Sequence, residues 1–132
     1  MYVETDFLLA LAKSDDWLRE QAIAALEQYD DVHTSLASYA ELLVFAYDRE
    51  AGTYAIDVPR AVADLVTQVP ITPETHEEAV LTAAVLADEH GLTPFDAIHA
   101  GIAITADEPI LSSEQEYEEL ELDRVPLEPS NR

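Results

Sequence analysis

The chain contains no cysteine, which excludes both a disulfide framework and a thiolate metal site. Lysine is almost missing as well, Lys13 being the only one. Glycine occurs three times, and no repeat, low-complexity tract or linker interrupts the 132 residues. That length suits one domain with one core. The domain is expected over residues 1–127, with 128–132 as a frayed tail. No apolar run is long enough to span a bilayer. The opening Met1-Tyr2-Val3-Glu4-Thr5-Asp6-Phe7 lacks the basic stretch that begins a secretory signal. These absences predict a cytoplasmic protein.

Acid is what the chain has in excess: 28 acidic against 6 basic residues, a formal charge of −22. Such a surface repels nucleic acid at low salt. With 48% hydrophobic residues the chain is nevertheless not a disordered polyanion. Two readings compete: a protein that never meets polyanions, or one adapted to a salt-saturated cytoplasm. At molar salt the Debye length is only ~3 Å, and long-range repulsion nearly vanishes. The scarcity of lysine resembles the bias of halophilic archaea and favours the second reading. Most of the acidity is then solvation, and each carboxylate has to be judged by its position.

Short strand patterns alternate with helical ones. Met1–Glu4 reads as a strand running into the apolar helix Phe7–Ala12. Asp15-Asp16-Trp17-Leu18 starts a second helix with apolar positions at Leu18, Ala22, Ala25, Leu26 and Tyr29. Val32–Ser35 is β-like and precedes a helix predicted from Ala37 to Glu50. Pro59 sits in the first turn of a helix reaching Gln68, and Val69–Thr72 is extended because a residue before proline avoids the α region. Thr72 and Pro73 open a long helix that Gly91 closes, and Thr93-Pro94 repeats the device for a helix to Thr105. Pro109–Ser112 is a strand, Glu114–Leu120 a short helix and Asp123–Leu127 a last strand. Strands alternating with helices predict an α/β fold with a mostly parallel sheet covered on both faces. Ligands of such sheets bind beyond the carboxyl ends of the strands.

Carboxylates stand at those places. Glu4 and Asp6 end the first strand, Glu41 lies in the helix after Val32–Ser35, Asp96 follows Thr93-Pro94, and Glu114 and Glu116 follow Ile110–Ser112. Hard divalent ions such as Mg²⁺ or Mn²⁺ take oxygen ligands of this kind. Thr5 and Ser112 are candidate donors to hold the acids in place.

Four stretches, taken in order, resemble a known family: Val3-Glu4-Thr5-Asp6-Phe7-Leu8-Leu9, Ser35-Leu36-Ala37-Ser38-Tyr39-Ala40-Glu41-Leu42, Leu92-Thr93-Pro94-Phe95-Asp96-Ala97-Ile98-His99-Ala100, and Ile110-Leu111-Ser112-Ser113-Glu114-Gln115-Glu116-Tyr117. They are similar to the PIN domain, the ribonuclease fold of VapC-type toxins. The resemblance implies a three-layer α/β/α sandwich with a central sheet of short strands. It implies a Mg²⁺- or Mn²⁺-dependent endoribonuclease in which Glu4, Asp6, Asp96 and Glu114 hold one or two ions and Glu41 orients the attacking water. RNA as substrate, a cognate antitoxin and a homodimer belong to the same expectation. Glu4 and Glu114 stand where the family usually has aspartate, each adding a methylene. That departure motivates an alternative, a PIN-like module that binds metal or a protein partner without turnover.

Each acid also has an ordinary structural explanation. Ser38-x-x-Glu41, Thr93-x-x-Asp96 and Ser113-x-x-Glu116 fit the capping-box pattern, and Glu114 suits a helix N-terminus. Glu4 is harder to explain away, because a charge at a buried strand-to-helix junction is costly unless paired. His99 is expected to be a hydrogen-bonded structural histidine on the face of Asp96, and His33, His76 and His90 have no metal-ligand spacing. Trp17, Tyr39, Phe45 and Tyr47 are expected in the core or at an interface. A receiver-like domain also clusters acids at a sheet edge but needs a lysine late in the chain, and Lys13 is too early.

Overall fold

The computed structural model describes residues 1–71 and 76–130. Its centre is a parallel sheet of three short strands, β1 (Tyr2–Val3), β4 (Ile110–Ser112) and β5 (Arg124–Pro126), in the order β1-β4-β5. Val3 pairs with Leu111, which pairs with Val125. Single parallel bridges, Tyr2 to His33 and Thr34 to Ile71, continue the sheet on the other side of β1. His33, Thr34 and Ile71 pair within the segments expected to be extended, Val32–Ser35 and Val69–Thr72; Val69 instead ends the helix before it, and Thr72 lies outside the described residues.

Because side chains alternate across a strand, neighbouring residues of β1 and β4 serve opposite faces. Val3 and Leu111 enter one core with Phe7, Leu8, Ala22, Leu42 and Leu65. These come from α1 (Thr5–Ala12), α2 (Arg19–Gln28), α3 (Leu36–Ala46) and α4 (Val58–Gln68). Tyr2 and Ile110 enter a second core with Leu86, Ala100, Ala103 and Tyr117, contributed chiefly by α5 (His76–His90) and α6 (Pro94–Thr105). The result is the expected sheet with helices on both faces. The last two helices pack unusually close at Gly101, where a methyl group would come within 2.4 Å of the Ala79 carbonyl oxygen.

Several boundaries differ from the sequence-based expectation. α3 stops at Ala46 rather than near Glu50. A hairpin follows, β2 (Tyr47–Asp48) against β3 (Thr53–Tyr54). The Asp48 carboxylate accepts the amides of Glu50 and Ala51, Gly52 supplies the positive φ of 68° that the turn needs, and the Tyr47 and Tyr54 rings meet at 5.2 Å. The second helix begins at Arg19, because Asp16 takes the Leu18 amide into a turn instead of opening the helix. Of the aromatic group only Tyr39 is buried, while Trp17, Phe45 and Tyr47 are exposed. Gly91 closes α5 with φ of 66°, as expected. The Thr72-Pro73 start of that helix lies outside the described residues. Among the described residues, no helix is long and apolar enough to cross a membrane.

Candidate functional site

The carboxyl ends of β1 and β4 place their next side chains together. Glu4, only 4% exposed, is the N-cap residue of α1, and its Oε2 accepts the Ser112 hydroxyl at 3.1 Å. That hydroxyl also reaches Asp6 Oδ2 at 3.4 Å and accepts the Glu114 amide at 3.0 Å. Asp6 Oδ2 is held further by the Ser113 amide at 2.9 Å and the Ser113 hydroxyl at 2.6 Å. The other Asp6 oxygen, Oδ1, is buried with no hydrogen-bond partner.

Glu41 approaches from α3. Its Oε1 accepts the Thr5 hydroxyl and faces His99 Nε2 at 3.0 Å. Burial pushes the Glu41 carboxyl up, but the bonds from His99 and Thr5 outweigh it, leaving the group below its ordinary range. His99 is fully buried, the hydrogen-bonded histidine that was expected. Its Nδ1 lies 2.9 Å from the Tyr2 hydroxyl, itself 2.8 Å from Ser35 Oγ.

Asp96 and Glu114, both half-buried, complete the group. Burial raises the Glu114 carboxyl, and the charges of Asp96, Glu116, Asp6 and Glu41 raise it further. Burial likewise lifts Glu4 well above the ordinary carboxyl range, with Asp6 and then Asp96 adding to it. Asp6 is also raised by burial, against the pull of its Ser113 bonds. The six acids singled out in the sequence therefore meet at one sheet edge, where the charges of Asp6 and Asp96 act on Glu4 and those of Asp6, Glu41, Asp96 and Glu116 act on Glu114.

The capping-box pattern is not formed at these acids, although Glu114 does stand at a helix N-terminus. The N-cap of α3 is Ser35, not Ser38, and Glu41 bonds to Thr5 and His99. At α6, Thr93 donates to Asp96 Oδ2 at 2.8 Å without capping a backbone amide. The 3-10 turn Gln115–Glu119 has Glu114 as its N-cap, with no side-chain cap bond. Thr5 and Ser112 do hold carboxylates. Two further residues escaped the sequence reading. Ser113 contributes more to Asp6 than Ser112 does, a role foreshadowed only by its place directly after the strand. Tyr117 is fully enclosed, its hydroxyl inside the field of Glu4 but short of a closed hydrogen bond. Its three-residue offset from Glu114 was the available clue.

No three acidic or imidazole side chains among the described residues are grouped tightly enough to hold a metal ion as they stand. The donor set is nonetheless suited to a hard cation. Glu4, Asp6, Asp96 and Glu114 are all oxygen donors, and Asp6 Oδ1 is enclosed and unpartnered. Acids raised by burial and by neighbouring acids, as Glu4 and Glu114 are, are stabilised by a divalent charge placed among them.

Comparison with known proteins places these features in context. The family model described as the PIN domain matches residues 1–122. No curated protein matches the chain. Among solved structures, a toxin–antitoxin complex from Klebsiella pneumoniae aligns with a TM-score of 0.71 at 17% identity, covering 96% of both chains. VapBC-1 from nontypeable Haemophilus influenzae gives 0.70 at 18% identity, again over 96% of both chains. VapBC2 from Rickettsia felis, bound to a DNA fragment from its promoter, gives 0.70 at 11% identity over 95% of this chain and 96% of that one. At these identities the likeness is one of fold.

Proposed function

The chain belongs to the PIN domain family, and from that premise we propose that it is a divalent-metal-dependent endoribonuclease, the toxin of a toxin–antitoxin pair. The observation that carries this reading is the convergence of Glu4, Asp6, Asp96 and Glu114 at one sheet edge, where the charges of Asp6 and Asp96 raise the proton affinity of Glu4 and Glu114. In this reading Glu4, Asp6, Asp96 and Glu114 hold Mg²⁺ or Mn²⁺. A bound divalent ion supplies positive charge against a phosphodiester and makes nearby water more acidic. Glu41, kept ionised by His99 and Thr5, accepts a proton from the attacking water. Ser112 and Ser113 hold Glu4 and Asp6 in place.

A chain with a formal charge of −22 meets RNA at a disadvantage in dilute buffer. We therefore assign the protein to a high-salt interior, where screening removes the long-range repulsion. The test is cleavage of single-stranded and structured RNA by purified protein in molar KCl with Mn²⁺ or Mg²⁺. Wild type is expected to cleave, and Asp96→Asn to fall at least ~100-fold, about 2.7 kcal/mol of barrier. Equal rates for the two proteins would end the enzymatic reading.

A second reading is favoured by the two glutamates at Glu4 and Glu114 and by the absence of a ready-made ligand cluster among the described residues. It is a module that binds metal or a protein partner without turnover. Calorimetric metal binding with no cleavage across a broad RNA panel distinguishes it. The partner proposed for either reading is a small antitoxin, by likeness to the toxin–antitoxin complexes that share the fold, with a homodimer as the proposed assembly.

A further inference from the structure

His99 is not one of the acids, yet the directions of its hydrogen bonds can be assigned from its neighbours. Glu41 lies below its ordinary carboxyl range and is ionised, so it only accepts. The hydrogen therefore sits on His99 Nε2, 3.0 Å from Glu41 Oε1. On the other side, the fully buried Tyr2 hydroxyl lies between His99 Nδ1 and Ser35 Oγ. In the neutral imidazole Tyr2 donates to Nδ1 at 2.9 Å and accepts from Ser35 Oγ at 2.8 Å. Three elements meet in this chain: α3 through Ser35 and Glu41, β1 through Tyr2, and α6 through His99.

The chain ends on one oxygen. Thr5 and His99 both bond Glu41 Oε1, and among the described residues no hydrogen bond falls on Oε2. A glutamate on a helix has three side-chain torsions to fix, and two bonds to one oxygen fix the last of them. The imidazole is itself held from turning by Tyr2 and by Phe95, whose ring stacks on it at 6.4 Å and 29°.

We propose that His99 is a positioning residue, whose Nε2–H fixes Glu41 so that Oε2 is the oxygen turned to the attacking water, with Tyr2 and Ser35 setting the tautomer. The inference rests on the role given to Glu41 above and deepens it. Its consequence is confined to the chemical step: substrate binding does not depend on the Glu41 rotamer, whereas proton removal does.

The test compares His99→Gln, His99→Asn and His99→Phe in the full chain. A glutamine amide nitrogen falls near the place of Nε2, and an asparagine amide near Nδ1. His99→Phe and His99→Asn are expected to lower kcat by ~10–100-fold with KM unchanged, the scale seen when an orienting partner is lost. His99→Gln is expected to recover most of that loss. Melting temperatures are measured for all three, and kcat losses that simply follow them, with no advantage for glutamine, overturn the proposal. A second readout needs no turnover: the imidazole Nε2–H resonance of the metal-free protein. It is expected to move in Glu41→Ala, and a resonance indifferent to that change overturns the proposal even where kcat has fallen. Should wild type cleave no RNA with any divalent ion, the reading of function fails by itself, and the resonance then decides whether His99 fixes Glu41.

Discussion

The two ends of the parallel sheet treat their acids in opposite ways. At the amino ends, Glu108 Oε1 lies 3.2 Å from the Met1 ammonium and 2.6 Å from His33 Nε2. The same ammonium lies 3.2 Å from Asp31 and lowers its carboxyl. At the carboxyl ends, Glu4, Asp6 and Glu114 are raised by burial and, for Glu4 and Glu114, by neighbouring acids. An acid paired with a cation adds stability. Acids crowded among acids withhold it until something positive arrives. In a chain this rich in carboxylates, abundance says nothing about function, and the sign of the neighbours says a great deal.

The sharpest way to break the contrast is Glu4→Gln, which should act oppositely on activity and stability. Cleavage is expected to fall at least ~100-fold, or about 2.7 kcal/mol of barrier. The melting temperature in chelator is expected to rise at pH 8, by roughly 3–5 °C for each kcal/mol of repulsion relieved. A variant that loses both activity and stability would show Glu4 to be a structural acid.

The same pair of proteins gives a pH test. Glu4 is raised in the folded state, so the fold binds its proton more tightly than the unfolded chain does. That contribution is whole below the ordinary carboxyl pKa of about 4.3 and is lost as pH climbs through the higher folded value. Glu128, depressed chiefly by its hydrogen bonds from Arg124, runs the other way: its contribution is present above about 4.3 and is lost as pH falls through the folded value. In chelator, the melting-temperature gap between Glu4→Gln and wild type should be near zero at pH 4 and widen toward pH 8. A gap constant across that range contradicts the placement of a buried acid among acids.

Ser113→Ala should have a smaller effect. It removes the 2.6 Å hydroxyl bond to Asp6 but leaves the amide bond, and a rate loss of ~10-fold is expected. An unchanged rate would assign Asp6's orientation to the backbone alone. Smallest is Glu108→Gln at the opposite end. Its pairs are partly exposed, and urea denaturation should register a loss of no more than about 1 kcal/mol with cleavage unaffected. A large effect on cleavage would mean that the two ends are coupled.

Much of the frame is legible from the residues. The Thr93-Pro94 start of α6, the glycine after His90 and the apolar Ile110–Leu111 strand all carry local signals, and the structure has them where expected. α3 ran too long in the sequence reading because Leu42–Tyr47 is apolar without a break. Its stop depends on Asp48 folding back on its own amides and on the backbone freedom of Gly52. The capping-box pattern could not discriminate, because a serine or threonine three residues before an acid fits a cap and a cluster of acids equally well. Ser113 and Tyr117 were missed because their partners, Asp6 and Glu4, are more than 100 positions away.

Composition and periodicity by themselves determined the alternation of strands and helices, the charge and the list of acids worth watching, since those signals lie within a few residues of one another. The tertiary structure alone decided which acids face acids and which face cations. It set Glu4 against Ser112 across 108 positions and buried His99 between Tyr2 and Glu41. Burial and electric fields act through space, and the order of residues along a chain does not record distance.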